Sequence, residues 1–226
     1  MNISQPDWPK DTQAAIALQR QLATQIITTD DLGDIQYVAG VDVGFEEGGT
    51  VTRAAVVVLT FPELELVETA IARTPTTFPY IPGLLSFREA PALLEALAQL
   101  KTEPDLILCD GQGIAHPRRL GIASHLGLLL DKPTIGVAKS RYIGTYAEPA
   151  AEKGNWTELM DKGDRIGAVL RTRTHIKPLF ISIGHRVSLE RAIAILLSCT
   201  TKYKLPEPTR LADRLASRRG PMPALK

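Results

Sequence analysis

Cysteine, net charge and long hydrophobic runs are all scarce in this sequence. Its two cysteines, Cys109 and Cys199, lie in apolar stretches, so we expect reduced core thiols and no disulfide framework. A formal net charge of +1 gives no general basic field, so nucleic-acid binding would need local basic patches. The first residues lack a basic region followed by an apolar run, and runs such as residues 192–197 are too short for a bilayer. We therefore expect no signal peptide, no membrane partner and a cytoplasmic protein.

The length and composition suit one globular unit. With 226 residues, of which 44% are hydrophobic, the chain can bury a full core. The sequence has no internal repeat and no interdomain linker, so we predict a single domain over residues 1–226, acting as a monomer. A helix at residues 11–27 and a basic segment at residues 202–226 are expected to flank its core.

The order of the apolar segments predicts a mixed α/β sheet. Three segments, at residues 37–45, 54–59 and 65–73, predict an antiparallel meander. Two later strands, at residues 105–109 and 133–138, enclose a helix at 120–130, and this β-α-β order predicts parallel pairing. Three antiparallel strands followed by parallel strands, with helices on the faces, form the ribonuclease H-like arrangement.

Other segments complete this prediction. A connection rich in proline at residues 74–86 is too long for a simple turn, and ordered loops of this length tend to be functional. Residues 144–163 are polar and irregular, which predicts a surface insertion. Residues 166–171 and 179–183 are strand candidates, and Ser188 is expected to cap a helix.

Three carboxylates stand in unusual surroundings. Asp42 lies within an apolar strand, where a charge is costly unless a donor or another partner compensates it. Asp110 closes a buried strand at its carboxyl end, where α/β sheets place ligands, although an aspartate before Gly111 also suits a turn. Glu89 fits a capping box with Ser86, but if the helix runs through this segment, Glu89 becomes an acid on its apolar face.

Together, the three carboxylates have the chain order of a ribonuclease H-like metal site. Clustered hard oxygen ligands suit Mg²⁺, with Mn²⁺ as a substitute. Such ions activate water and stabilise charge on a phosphodiester during hydrolysis. Asp213 is either a fourth carboxylate of this site or a solvated partner of Arg210 or Arg214.

Longer motifs surround these residues. They occupy residues 37–44, residues 78–89, and a run over residues 110–118 that continues through residues 121–125 and 136–140. These motifs resemble the endonuclease V, or deoxyinosine 3′-endonuclease, family, and the resemblance extends over residues 38–214. The second and third motifs are too long for chance agreement.

The resemblance implies a DNA repair enzyme that nicks the strand at the second phosphodiester bond 3′ to deoxyinosine, leaving 3′-hydroxyl and 5′-phosphate ends. Asp42 and Asp110 match the metal ligands of the family, Glu89 matches its third active-site carboxylate, and Lys139 matches its active-site lysine. The strand-separating wedge matches Pro79, Tyr80, Ile81 and Pro82. The pocket for the everted base matches Gly83, Leu85, Gly111 and Ile122.

General physics agrees with the implied wedge and pocket. Prolines on both sides of Tyr80 stiffen the loop, so its ring can enter the base stack at a small entropic cost. Everting a base costs less at a weak mispair such as one with inosine. A tight pocket can reject guanine, because hypoxanthine lacks the exocyclic amino group. Without the resemblance, the loop would be interpreted as a rigid surface turn.

Three more polar residues enter the predicted site. His116 could hydrogen-bond a phosphate or the attacking water, and Lys139 suits a phosphate or the nucleophile unless it is a solvated surface lysine. Some family members have histidine at the position of Asp213, which leaves the role of this aspartate open.

Two other functions compete with the DNA endonuclease. One is a ribonuclease acting on inosine-containing RNA, which only contacts to the 2′-hydroxyl would distinguish. The other is a non-catalytic binder of distorted nucleic acid. The intact set of Asp42, Glu89 and Asp110 argues against this binder.

Overall fold

The computed structural model describes residue 3 and residues 5–219, so the end of the predicted basic segment, residues 220–226, lies outside the described residues. The strands are β1 (Tyr37–Glu46), β2 (Val51–Thr60), β3 (Leu66–Pro75), β4 (Leu106–Asp110), β5 (Thr134–Ala138), β6 (Trp156–Asp161), β7 (Asp164–Leu170) and β8 (Leu179–His185). The helices are α1 (Thr12–Ala23), α2 (Leu85–Ala98), α3 (Ile122–Leu130), α4 (Leu189–Ser198) and α5 (Glu207–Ala216). The strands form one sheet in the order β3-β2-β1-β4-β5-β8-β7-β6, which confirms a mixed α/β sheet flanked by helices.

The first half of the sheet is the predicted antiparallel meander. β1 pairs with β2, with Asp42 opposite Ala55, and β2 pairs with β3. Val57 and Val58 of β2 are fully buried although they point to opposite faces, so this strand is covered on both sides. β2 begins earlier than predicted, because its hydrogen bonds to β1 and β3 continue past its apolar centre.

The centre of the sheet is parallel and its far half is antiparallel again. β1 pairs with β4, and β4 pairs with β5, which confirms the predicted β-α-β unit. β5 then pairs antiparallel with β8, β8 with β7, and β7 with β6. No local sequence pattern specified the pairing of these last three strands.

The segment at residues 144–163 is more regular than predicted. It contains β6 at the edge of the sheet, and Thr145 forms an isolated bridge with Met160. Only Leu159 is buried in β6, so this strand lacks the alternation by which a half-buried strand is recognised. The interpretation of an irregular insertion is therefore wrong for Trp156–Asp161.

One predicted helix cap and both predicted thiols agree with the structure, whereas the predicted length of α1 does not. α1 is shorter than residues 11–27 and ends at Ala23. The Ser188 hydroxyl caps α4 by accepting a hydrogen bond from the amide of Arg191 at 3.2 Å, as predicted. Cys109 and Cys199 are buried free thiols, also as predicted.

Apolar side chains cover both faces of the sheet. One cluster contains Leu196 of α4 and Leu211 of α5, and the other contains Leu93 of α2 and Leu126 of α3. None of the helices in the described part of the chain has the length and apolar character that a bilayer crossing requires. The two clusters place α4 and α5 on one face of the sheet and α2 and α3 on the other.

Candidate active site

Two aspartates meet where β1 and β4 lie side by side. The parallel pairing sets Val41 beside Cys109, so the next residues along the two strands, Asp42 and Asp110, are neighbours. Carboxylate oxygens of Asp42, Asp110 and Asp213 all lie within 4.8 Å of one another. We call these three residues the acidic centre.

Asp213 reaches the acidic centre because α5 lies directly on β1. A Cβ atom at Gly40 would lie 2.0 Å from the carbonyl oxygen of Pro208, so only glycine permits this close approach. The carboxylate of Asp213 lies 3.2 Å from Nζ of Lys139 and 3.0 Å from Nη2 of Arg219. The helix thus brings a third carboxylate from the C-terminal region to the two on the sheet.

The two arginines suggested by the sequence as partners of Asp213 have other contacts. The guanidinium of Arg210 pairs with Glu207, and Nε of Arg214 donates to the carbonyl oxygen of Arg219. Among the described residues, the cations paired with Asp213 are Lys139 and Arg219. The interpretation of Asp213 as a solvated partner of Arg210 or Arg214 is therefore wrong.

Burial and repulsion disfavour negative charge at the acidic centre. Burial, together with the neighbouring Asp110, raises the pKa of Asp42 to about 7, although Oδ1 of Asp42 accepts a hydrogen bond from the Val43 amide at 2.8 Å. Burial also raises the pKa of Asp110, despite the Lys139 ammonium 2.6 Å from its Oδ2. One backbone donor and two cations, Lys139 and Arg219, do not fully compensate the three carboxylates, so the oxygen ligands fit a divalent cation.

Lys139, which follows β5, bridges two members of the acidic centre. Its Nζ contacts Asp110 at 2.6 Å and Asp213 at 3.2 Å. Partial burial favours the neutral amine, but the two aspartates outweigh it and raise the pKa of Lys139. The interpretation of a solvated surface lysine is wrong, because this half-exposed ammonium is held within an ion-pair network.

The helix that carries Glu89 is not capped as the capping-box alternative requires. α2 runs through Pro91, and its N-cap residue is Leu84. The hydroxyl of Ser86 lies inside the helix and is 3.0 Å from Nδ1 of His125. The capping box is therefore wrong, because the helix starts before Ser86 and burial of its apolar face outweighs the hydrogen bond that Pro91 removes.

This course of α2 turns Glu89 towards the acidic centre. Burial, followed by the charges of Asp42 and Asp110, raises the pKa of Glu89 to about 8. Glu89 and Asp110 line both the hollow at the acidic centre and a larger cavity beside it. Glu89 thus lies at the boundary between the hollow at the acidic centre and the larger cavity.

The loop before α2 projects an aromatic ring into solvent. The predicted wedge consists of Pro79, Tyr80, Ile81 and Pro82. Tyr80 is 69% exposed, whereas the preceding Phe78 is buried against Phe87. Nη1 of Arg88 donates to the carbonyl oxygen of Phe78 at 2.8 Å, which fastens the loop to α2. An exposed ring on an anchored loop has the geometry that a wedge needs.

A cavity of about 460 Å³ lies between the wedge and the acidic centre. It is lined by all four residues predicted for the base pocket, Gly83, Leu85, Gly111 and Ile122. Members of the other predicted groups also line it, namely Tyr80, Pro82, Glu89, Asp110, His116 and Lys139. Gln19 and Tyr142 also line the cavity, but they were not identified from the sequence. Gln19 could have been recognised as a polar residue on the buried face of α1, because it lies one helical turn after the buried Ala15.

Two helices begin at this cavity. α2 starts after Leu84 and α3 starts after Gly121, and neither N-cap residue forms a capping hydrogen bond from its side chain. Their first-turn residues Leu85 and Ile122 line the cavity. Helix N-termini present N–H donors and a partial positive charge, so this wall suits a ligand edge rich in acceptors.

His116 lies in the cavity wall with both ring nitrogens engaged. Nδ1 accepts from the Arg118 amide at 3.2 Å, which assigns the proton to Nε2, and Nε2 donates to the Gly83 carbonyl oxygen at 3.1 Å. Burial, aided by Arg118, lowers the pKa of His116 to about 4. The expected contact with a phosphate or water is not supported, because the backbone occupies both nitrogens.

Known proteins are similar to this chain in fold and in sequence. The family model described as Endonuclease V matches residues 20–214. Endonuclease V of Nostoc punctiforme is 62% identical over 211 residues, which cover 93% of this chain and 96% of that protein. The crystal structure of endonuclease V from Streptomyces avermitilis matches with a TM-score of 0.89 at 45% identity and covers 93% of each chain. A Ciona intestinalis endonuclease V, solved with a 24mer DNA containing an inosine followed by a ribo-adenosine, matches with a TM-score of 0.81 at 33% identity, covering 92% of this chain and 98% of that one.

The ribonuclease H-like sheet and the carboxylates clustered on its central strands β1 and β4 define the class of this protein as a nuclease. The chain belongs to the endonuclease V family, whose members are deoxyinosine-specific endonucleases of DNA repair. The resemblance carried by the motifs is thereby confirmed.

Proposed function

We propose that this chain nicks DNA at the second phosphodiester bond 3′ to deoxyinosine by hydrolysis that depends on Mg²⁺. The observation that carries the proposal is the convergence of Asp42, Asp110 and Asp213, whose oxygens lie within 4.8 Å of one another beside a cavity of about 460 Å³. The inosine-containing DNA bound by the Ciona relative supports the choice of lesion. We expect one endonuclease domain, acting as a monomer in the cytoplasm, to carry these groups.

Asp42 and Asp110 are the proposed metal ligands, with Asp213 beside them. Hard oxygen ligands suit Mg²⁺, for which Mn²⁺ can substitute. When bound, the ion stabilises negative charge on the phosphate and makes water a better nucleophile. A cation here would also relieve the repulsion that contributes to the raised pKa of Asp42.

Glu89 and Lys139 are proposed to act on the reacting atoms. Glu89 lies beside Asp42 and Asp110 and lines the cavity, so its carboxylate can accept a hydrogen bond from the attacking water. Lys139 keeps its positive charge between Asp110 and Asp213 and can contact a phosphate oxygen. Neither role needs a covalent intermediate with the protein.

Tyr80 and the cavity are proposed to recognise the lesion together. The exposed ring of Tyr80 would replace the everted base in the stack. The everted hypoxanthine offers O6 and N7 as acceptors, which suit the N–H groups at the starts of α2 and α3. His116 contributes by fixing the carbonyl of Gly83, as a positioning residue and not as a catalytic one.

The test is a duplex with one deoxyinosine in an end-labelled strand, incubated with Mg²⁺ and analysed at single-nucleotide resolution. We expect one product, ending one nucleotide beyond inosine, and no cutting of the matched duplex with deoxyguanosine at that position. A cut at another bond would contradict the proposed position. Tight binding without any cut would instead identify a non-catalytic binder.

The same strand made as RNA tests the ribonuclease alternative. We expect the DNA strand to be cut faster than the RNA strand at equal enzyme concentration. A preference for the RNA strand would overturn the assignment to DNA, since only contacts to the 2′-hydroxyl distinguish the two sugars.

A further inference from the structure

Gln19 connects two sides of the cavity of about 460 Å³ between the wedge and the acidic centre, which we call the base cavity. It is 1% exposed, lies on α1, and stands one residue before the region that matches the family model. Its Nε2 donates to the carbonyl oxygen of Gly83 at 2.9 Å and to that of Leu120 at 3.1 Å. Gly83 comes two residues before Leu85, the first residue of α2, and Leu120 comes two residues before Ile122, the first residue of α3. One side-chain amide thus ties together the starts of both helices that border the cavity.

The carbonyl of Gly83 is the centre of this network. Besides Gln19, it accepts from Nε2 of His116 at 3.1 Å and from Nη2 of Arg118 at 2.7 Å. Gly83 has φ +83°, a conformation that side-chain-bearing residues rarely adopt, and a Cβ atom there would lie 2.7 Å from Arg118. Nε of Arg118 also donates to Oε1 of Gln19. The donors therefore hold a specific turn at the entrance of α2, and this carbonyl is fully occupied.

We infer that Gln19 is a positioning residue that sets the spacing of the two helix starts and thereby the recognition of the everted base. This inference rests on the proposed function and adds α1, which lies outside the sheet, to the recognition apparatus. Hydrogen bonds weaken steeply as distance and angle depart from their optimum. The N–H groups at the two helix starts can therefore bind the same base edge only if the distance between the helix starts is fixed.

The test compares Gln19→Met with Gln13→Met. Methionine at position 19 has nearly the size of glutamine but donates no hydrogen bond to Gly83 or Leu120. Gln13 lies on the exposed face of the same helix and supplies the matched control. Binding is measured by fluorescence anisotropy on two duplexes, one with deoxyinosine and one with an abasic analogue at the same position. The single-turnover rate at saturating enzyme is measured on the first duplex.

We expect Gln19→Met to raise Kd for the inosine duplex about tenfold relative to Gln13→Met, because the three hydrogen bonds that Gln19 forms with Gly83, Leu120 and Arg118 are all lost. Kd for the abasic duplex should be equal in the two variants, because no base is present to be gripped. The rate at saturation should fall much less than the affinity, because the acidic centre is unchanged.

Two results would overturn the inference. One is equal inosine binding by Gln19→Met and Gln13→Met, and the other is an equal loss of affinity for both duplexes, which would indicate a general role in folding. Gln19→Asn keeps the amide group on a side chain that is one methylene shorter, so it should show the same base-dependent loss at a smaller size. The melting temperatures of both position-19 variants are recorded beside that of the wild type, so that a loss of folding is recognised. Failure of the wild-type protein to nick the inosine strand would contradict the proposed function instead, so the two failures are distinguishable.

Discussion

The acidic centre and the base cavity adjoin, yet they are built in opposite ways. The acidic centre consists of charged side chains, and burial with mutual repulsion raises the pKa of Asp42 to about 7. The cavity is bordered by backbone, including Gly83 and two helix starts, and neutral side chains such as Gln19 and His116 hold it. One region needs a ligand to compensate its charges, whereas the other is shaped before its ligand arrives. Substitutions in the acidic centre should therefore lower the cleavage rate, and substitutions around the base cavity should lower the affinity for the lesion.

The largest separation is expected for Asp42→Asn. This change keeps the size of the side chain but removes its charge, so we expect nicking of the inosine strand to fall by about 10³-fold or more. Binding of the inosine duplex should remain close to that of the wild type, because the cavity is unchanged. Single-turnover cleavage and fluorescence anisotropy measure the two properties. Asp34→Asn, an exposed aspartate beside a different hollow, is the control; a joint loss of binding and cutting in Asp42→Asn would break the comparison.

The next largest effect is expected on the recognition side, for Tyr80→Ala. Removing the exposed ring should weaken binding of the inosine duplex by about tenfold to a hundredfold, the usual cost of losing one base–aromatic stack. Affinity for Mn²⁺, measured by calorimetry without DNA, should not change. Tyr80→Phe retains the ring and serves as the control. If Tyr80→Ala bound the inosine duplex as tightly as the wild type, the proposed wedge role of Tyr80 would be wrong.

A smaller effect is expected on the pH dependence of metal binding at the acidic centre, a property that the base cavity should not share. The pKa of Asp42 is raised to about 7 and that of Glu89 to about 8, so both hold protons below these values and a cation must displace them. We expect the affinity for Mn²⁺ to rise, as the pH increases towards 8, by up to about tenfold per pH unit for each proton that the cation displaces, and these protons are released. Calorimetry in buffers of different ionisation enthalpy measures both quantities. Asp42→Asn should release fewer protons, and a pH-independent affinity would refute the assignment of the raised pKa values.

The smallest effect is expected for the free energy of unfolding of the protein at acidic pH, to which His116 in the cavity wall contributes. His116 is buried and its pKa is lowered to about 4, whereas an unfolded histidine titrates near its ordinary value. Between these values the unfolded chain binds a proton that the folded chain does not, so stability falls as the pH is lowered. We expect His116 to account for about 1 kcal/mol of lost unfolding free energy between about pH 7 and 5.5. Urea unfolding of the wild type, His116→Gln and the exposed-site control His175→Asn measures it; an equal pH dependence in all three would contradict this origin.

Most of the elements and the main carboxylates could be predicted from the sequence because their signals are local. Valine-rich runs identified the first strands, and the motifs around Asp42, Glu89 and Asp110 are contiguous in the chain. β6 was missed because an edge strand with one buried residue carries no alternation. The start of α2 was ambiguous because Ser86 satisfies a capping pattern that the buried face of the helix overrides.

The sequence by itself determined the mixed sheet, the order of the carboxylates and the family, since periodicity and motifs are properties of neighbouring residues. Only the tertiary structure decided that Asp213 pairs with Lys139 and Arg219, and that the backbone occupies both nitrogens of His116. It also decided that Gln19 joins the starts of α2 and α3. The physical reason is that these contacts depend on strand register and on the close approach of helices to the sheet. Such distances arise from packing across the whole chain, and no local pattern encodes them.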